Sequence, residues 1–109
     1  MEVIMTIINY DDALSTGKRF ASKIRSEIDN NAQVVLFGSC AKNKATERSD
    51  IDIAVISEKF GHDIMENFAR LTVLAYGINT AIEPHPFTID GWKDNTPFIL
   101  EIQKTGVVL

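Results

Sequence analysis

Two carboxylates at positions 50 and 52, one residue apart inside an apolar run, are the groups in this chain best placed to do chemistry. The run from Asp50 through Ile51, Asp52, Ile53, Ala54 and Val55 to Ile56 reads as a strand. Alternation along a strand then sends Asp50 and Asp52 to one side and Ile51, Ile53 and Val55 to the other. Two like charges on one face repel each other unless a cation lies between them. Ten residues before Asp50, a second apolar run, Val34-Val35-Leu36-Phe37, stops at Gly38-Ser39. A glycine there lets backbone N–H groups approach a ligand closely, the serine adds a hydroxyl, and a helix starting at that corner would add donors for a phosphate. Oxygen ligands on a rigid strand suit Mg²⁺, which takes one or two carboxylates and completes its shell with substrate phosphates and water. A phosphate cradle beside a metal-holding pair implies metal-assisted phosphoryl or nucleotidyl transfer.

These residues need elements to hold them. Asn9 or Asp11 can cap a helix in which Leu14, Gly17, Ala21, Ile24 and Ile28 recur at spacings of three and four, ending near Asp29-Asn30-Asn31. The small residues Gly17 and Ala21 point to close packing, while Lys18, Arg19, Lys23 and Arg25 fall on a solvated face. Residues 33–37 form the first strand, 38–49 a polar connection and 50–56 the second strand. A second helix is expected over about 63–76, with Ile64, Phe68, Leu71 and Ala75 as its core stripe and Gly77 past its end. Residues 78–89 read as a third strand that Pro84 and Pro86 confine to an edge, or that leaves the sheet near Glu83. Thr96-Pro97 starts a last helix that runs to Lys104, and residues 107–109 add a small strand. Helices and strands interleave, so the expected class is α/β (α+β), with one sheet face partly open.

Bulk properties narrow the partners. A chain of 109 residues reads as one domain, residues 1–109. A net charge of −4 argues against an extensive nucleic-acid-binding face. Nowhere is there a run long enough for a membrane span. Met1 to Ile8 is apolar but short, carries Glu2 and lacks a basic leader, so it does not read as a signal peptide. The single cysteine, Cys40, has no internal partner and fits a reducing compartment. Together these give a cytoplasmic expectation.

Gly38-Ser39, ten intervening residues and Asp50-Ile51-Asp52 between apolar flanks resemble the signature of the DNA polymerase β-type nucleotidyltransferase superfamily. The size, the leading helix and the ending from Pro97 to Ile102 and on through Lys104-Thr105-Gly106 look most like its minimal members. The resemblance implies a palm-like nucleotidyltransferase fold, a small mixed β-sheet with helices packed on one face. It also implies Asp50 and Asp52 as catalytic, metal-binding carboxylates, and Gly38 and Ser39 as the grip on a nucleoside triphosphate. The family's third carboxylate falls best on Glu83, with Asp90 the second choice. Cys40 stands where the family often has arginine or tyrosine, and Lys42 takes the next basic place; Lys42 and Arg48 are candidate nucleotide-binding residues. The implied cofactor is Mg²⁺, as two ions and with Mn²⁺ able to substitute, and the implied substrate is ATP or another nucleoside triphosphate. Many such proteins are antitoxins that transfer AMP to a tyrosine of a HEPN-type toxin. The expected function is thus a nucleotidyltransferase, protein adenylyltransferase-like, acting on a partner protein. The alternative is a catalytically weak or inactive module that neutralises a partner by covering it.

The remaining singular residues have plainer readings. His85 shares a face with Glu83 and could touch nucleotide or acceptor, although a surface histidine on an edge strand is the favoured reading. Cys40 reads as a small packed residue, and Trp92 and Phe98 as core or interface anchors.

Overall fold

A computed structural model of the chain describes residues 9–44 and 50–109. Met1 to Ile8 and the stretch 45–49, which includes Arg48 and Ser49, lie outside the described residues. In chain order the elements are α1 (Tyr10–Glu27), β1 (Gln33–Phe37), α2 (Gly38–Ala41), β2 (Ile51–Ile56), α3 (Ile64–Tyr76), β3 (Ile82–Phe87), α4 (Ile89–Trp92), α5 (Pro97–Thr105) and β4 (Val107–Val108). The strands make one mixed sheet in the order β3-β2-β1-β4. β1 pairs antiparallel with both β2 and β4, and β2 pairs parallel with β3.

Each boundary has a local cause. Asn9 caps α1 by accepting from the Asp12 N–H, with Asp11 and Asp12 in the first turn where the helix dipole favours them. Asp63 caps α3 through the Glu66 N–H, and Thr96 caps α5 through Ile99 N–H with Pro97 behind it. The third strand starts at Ile82, later than the sequence pattern suggested. The Asn79 side chain accepts from the Ala81 N–H at 2.8 Å and folds residues 79–81 into a turn first.

Alternation sorts the core. Val34, Leu36, Ile51, Ile53, Val55 and Ile82 pack with Phe20, Ile24 and Leu71 of the two long helices on one face. Gly17 gives room in that layer to Leu109, whose methyl would stand 2.8 Å from a Cβ there. The opposite face is partly covered, by Ile102 of α5 and by Phe87 and Trp92, which pack on Val35, Phe37, Ala54 and Ile56. The small mixed sheet with its long helices on one face is as expected. α4 and α5 close part of the second face and leave its β2–β3 margin open.

Two expectations are corrected. Phe68 is 38% exposed and Ile64 67%, so only Leu71 and Ala75 of the α3 stripe are core. β3 is the sheet edge, and among the described residues nothing lies beyond it to bury the first half of α3. Arg25 is half-buried, donating to the Ala32 carbonyl at 3.2 Å and to the Leu109 carbonyl at 2.9 Å, which ties α1 to both strands at one end of the β1–β4 pair. Its guanidinium is a structural clamp rather than a solvated charge. The short helix expected at the Gly38-Ser39 corner is present as α2, a single turn.

β3 survives its two prolines because of the parallel register. The carbonyls of Ala81 and Phe87 accept from Ile51 and Ser57 N–H groups, so odd positions turn their backbone toward β2. Pro84 and Pro86, at even positions, lack N–H groups only on the outward edge. Among the described residues, no helix is long and apolar enough to cross a membrane.

Candidate active site

The site lies where β1 ends and β2 begins. Antiparallel pairing sets Phe37 opposite Asp52, so the chain leaves β1 at Gly38 beside that carboxylate. Gly38 has φ +75°, and a Cβ on it would stand 2.6 Å from Asp52 Oδ2. Backbone conformation and proximity both require glycine there. The corner therefore stands against the Asp52 carboxylate.

Parallel pairing supplies the third carboxylate. The register sets Glu83 opposite Asp52 and His85 opposite Ala54. The neighbouring Asp50 carboxyl, followed by partial burial and the charge of Asp52, holds the Glu83 carboxyl above the usual glutamate range. A carboxyl whose acidity is weakened by neighbouring carboxylates marks a place with an excess of negative charge. Asp50, Asp52 and Glu83 are thus gathered on one patch. Asp90 is not with them: it lines a separate pocket with Ser57, Glu58 and His62, at the far end of β3.

His85 enters this cluster. Its Nε2 lies 3.2 Å from Asp52 Oδ1 and 4.0 Å from Glu83 Oε1. Donor atoms of Asp52, Glu83 and His85 all fall within 4.8 Å of one another, close enough to hold a metal ion. The edge-strand surface reading of His85 is therefore incomplete. The available signal was its i+2 spacing from Glu83, which puts both on one strand face. Phe37 meets the imidazole edge-on, with ring centroids 4.9 Å apart, and Phe98 lies 6.0 Å away on the other element.

The remaining candidates divide. Ser39 follows Gly38 on α2 and is half-buried at the corner. Lys42 is turned to α5, where its Nζ donates to Glu101 Oε1 at 2.8 Å. Cys40 is buried and its Sγ donates to the Asp50 carbonyl at 3.4 Å, holding α2 to the start of β2. Burial, and then the charges of Asp52 and Asp50, push its thiol up. A thiol kept protonated is a packing group, as the sequence suggested.

An apolar groove runs from the cluster around the free edge of β3. It encloses about 400 Å³ and is lined by Ile64, Met65 and Phe68 of α3 and by Glu83 to Phe87 of β3. A somewhat larger depression, about 450 Å³ along α1 between Asp11 and Ser22, includes no candidate residue. The donor set at the margin is rich in oxygen and has an excess of negative charge. Those residues fit a divalent cation with phosphate oxygens completing its shell.

No curated protein and no solved structure shows significant similarity to the chain. The family described as "Nucleotidyltransferase domain" does match, over residues 18–99, a span that holds α2, the Asp50–Asp52 pair and Glu83. With three quarters of its length accounted for in that way, the chain belongs to the nucleotidyltransferase domain family.

Proposed function

We propose that this protein transfers AMP from ATP to a hydroxyl group on a partner protein, a HEPN-type toxin by the resemblance of its motifs, and so acts as an antitoxin in the cytoplasm. The observation that carries the transfer is the meeting of the Gly38 corner with the carboxylates of Asp50, Asp52 and Glu83. In this reading Asp50, Asp52 and Glu83 hold the metal and are the catalytic residues. Gly38 and Ser39 offer an N–H and a hydroxyl to the triphosphate, with Lys42 and Arg48 as its basic contacts. Two divalent ions, when bound, neutralise triphosphate charge and polarise the attacking and leaving oxygens. The acceptor oxygen bonds to the α-phosphorus, the bond to pyrophosphate breaks, and the hydroxyl proton is released. The β3 groove, open at the same margin, leaves room for an acceptor side chain.

The test is incubation of the chain with ATP labelled at the α-phosphate, Mg²⁺ and the product of its genomic neighbour. Label on the neighbour is the expected result. Absence of label, with both proteins folded and associated, overturns the reading.

One observation favours the second reading, a silent module that neutralises by contact: Lys42 is engaged by Glu101 rather than turned to the corner. Replacing Asp50 and Asp52 by alanine separates the two. Neutralisation that survives the double change belongs to the silent module; neutralisation that vanishes belongs to the transferase.

A further inference from the structure

α3 carries more apolar surface than the core uses. Asn67, Leu71 and Ala75 are its buried residues. Beside them Ile64, Phe68, Thr72 and Tyr76 recur every four residues, with Met65 and Val73 alongside, and none of these six is charged. Five of the nine exposed large apolar side chains among the described residues belong to this one helix. Its two charges, Glu66 and Arg70, share a separate sector. A surface helix ordinarily turns polar residues outward, and a concentration of exposed apolar groups marks a place where something docks.

That face borders a continuous channel. The larger part, about 400 Å³, lies between Ile64, Met65 and Phe68 and the Pro86–Phe87 end of β3. The smaller part, about 120 Å³, lies between Phe68, Tyr76 and Ile82. Phe68, Glu83 and Pro84 line both, so the channel follows α3 along its 13 residues, roughly 20 Å at 1.5 Å per residue. Shape and charge select the occupant. An extended chain gains little here, because Pro84 and Pro86 take backbone donors from the rim. A helix needs no such donors and engages a channel through apolar anchors at i, i+3 or i+4 and i+7. Apart from the His85 imidazole, Glu83 is the one charged side chain lining either part among the described residues, and the charges of Asp50 and Asp52 act on it. The occupant must therefore bring the cation. A second copy of the chain would not, since the face it offers is the same uncharged one.

We infer that the channel between α3 and β3 seats an amphipathic helix of the partner protein, apolar along the side laid into it and basic at the end that meets the acidic margin. The inference rests on the proposed function for the existence of a partner that carries the acceptor.

The test presents the full chain with two displayed peptide libraries, one helical and one extended. Helical peptides with anchors at i, i+3 or i+4 and i+7 and a lysine or arginine at one end should be enriched. Exchanging that basic end for glutamate should weaken binding several-fold. Met65→Gln with Tyr76→Gln should weaken it on the order of tenfold or more. Those side chains are 74% and 70% exposed, so the double variant keeps its fold, which circular dichroism checks. The inference is overturned if only extended peptides are enriched, if none are, or if the double variant binds the helical ones equally well. It is also overturned if sedimentation shows a dimer of the chain that the double variant dissolves, because a second copy is then the occupant. Label transfer to the genomic neighbour that the double variant leaves unchanged removes the seat and keeps the transfer reading. Helical peptides bound as expected by a chain that labels nothing keep the seat and remove that reading.

Discussion

The β1–β2 ladder has a carboxylate at each end, and the two ends treat it in opposite ways. At the far end Asp29 is buried and fully partnered: Ser57 Oγ donates to it at 2.6 Å and the Asn31 N–H at 2.9 Å. Those bonds, the Ser57 hydroxyl first, hold its carboxyl below the usual aspartate range. At the near end Asp50, Asp52 and Glu83 face one another, and Glu83 is pushed up instead. Where each charge has its own donors, a carboxylate secures the turn between α1 and β1. Where the charges have mainly each other, the cluster keeps an excess of negative charge that would favour a cation. One end holds the fold and the other is reserved for chemistry.

Substitutions should break that contrast in opposite directions. Asp52→Asn at the near end should lower nucleotide transfer by on the order of 10³-fold, the loss of several kcal/mol of charge stabilisation. Its melting midpoint should not fall, since repulsion is relieved; a large drop in midpoint would mean that Asp52 is structural. Asp29→Ala at the far end should do the reverse. It leaves the Ser57 hydroxyl and Asn31 N–H without their acceptor, costs about 1–3 kcal/mol, and should lower the midpoint by roughly 5–15 °C. Divalent-ion binding should be unchanged, as a metal titration would show.

Acidity sharpens the comparison, measured in chelator. The lowered carboxyl of Asp29 contributes stability that is present above its unfolded value, near 3.9, and is lost as pH falls through the folded one. The raised carboxyl of Glu83 has the other sign. Its contribution is full below the unfolded value, near 4.3, and is lost as pH rises through the folded value above it. Urea denaturation across this range should show Asp29→Asn flattening the acid limb and Glu83→Gln flattening the slope just above it. Identical slopes in all three proteins would show that neither carboxyl is perturbed. The smallest effect belongs to Glu101→Gln. Freed from its exposed partner, Lys42 can turn to the corner, so triphosphate binding should tighten a few-fold, the scale of a single exposed ion pair, with no change in thermal midpoint. A binding isotherm that does not move would assign Lys42 to α5 alone.

How much of this was legible in the sequence depends on distance along the chain. Local signals were clear. β1 and β2 announced themselves as apolar β-branched runs, Gly17 and Ala21 marked a close helix contact, and Gly38 with Asp52 marked the site. Pairing between distant segments was not written in any one of them. Glu83 joins Asp52 through a parallel register that side-chain alternation permits without specifying. Phe68 followed the helical stripe yet is half-open, because a stripe gives the direction of the core and not the width of the sheet beneath it. Arg25 looked like one more solvated cation. Its carbonyl partners, Ala32 and Leu109, become neighbours only when β4 adds to β1. The Asp29–Ser57 bond was invisible for the same reason, although both residues stood out as ends of elements.

Pro84 and Pro86 carry a consequence for whatever approaches this margin. An exposed strand invites a visiting chain to continue the ladder through backbone hydrogen bonds, and the two missing donors on the outer rim of β3 deny that route. A macromolecule arriving there must be recognised by the shape and charge of its side groups. Recognition of that kind can discriminate between sequences, while the reactive edge stays uncovered and protected from self-stacking.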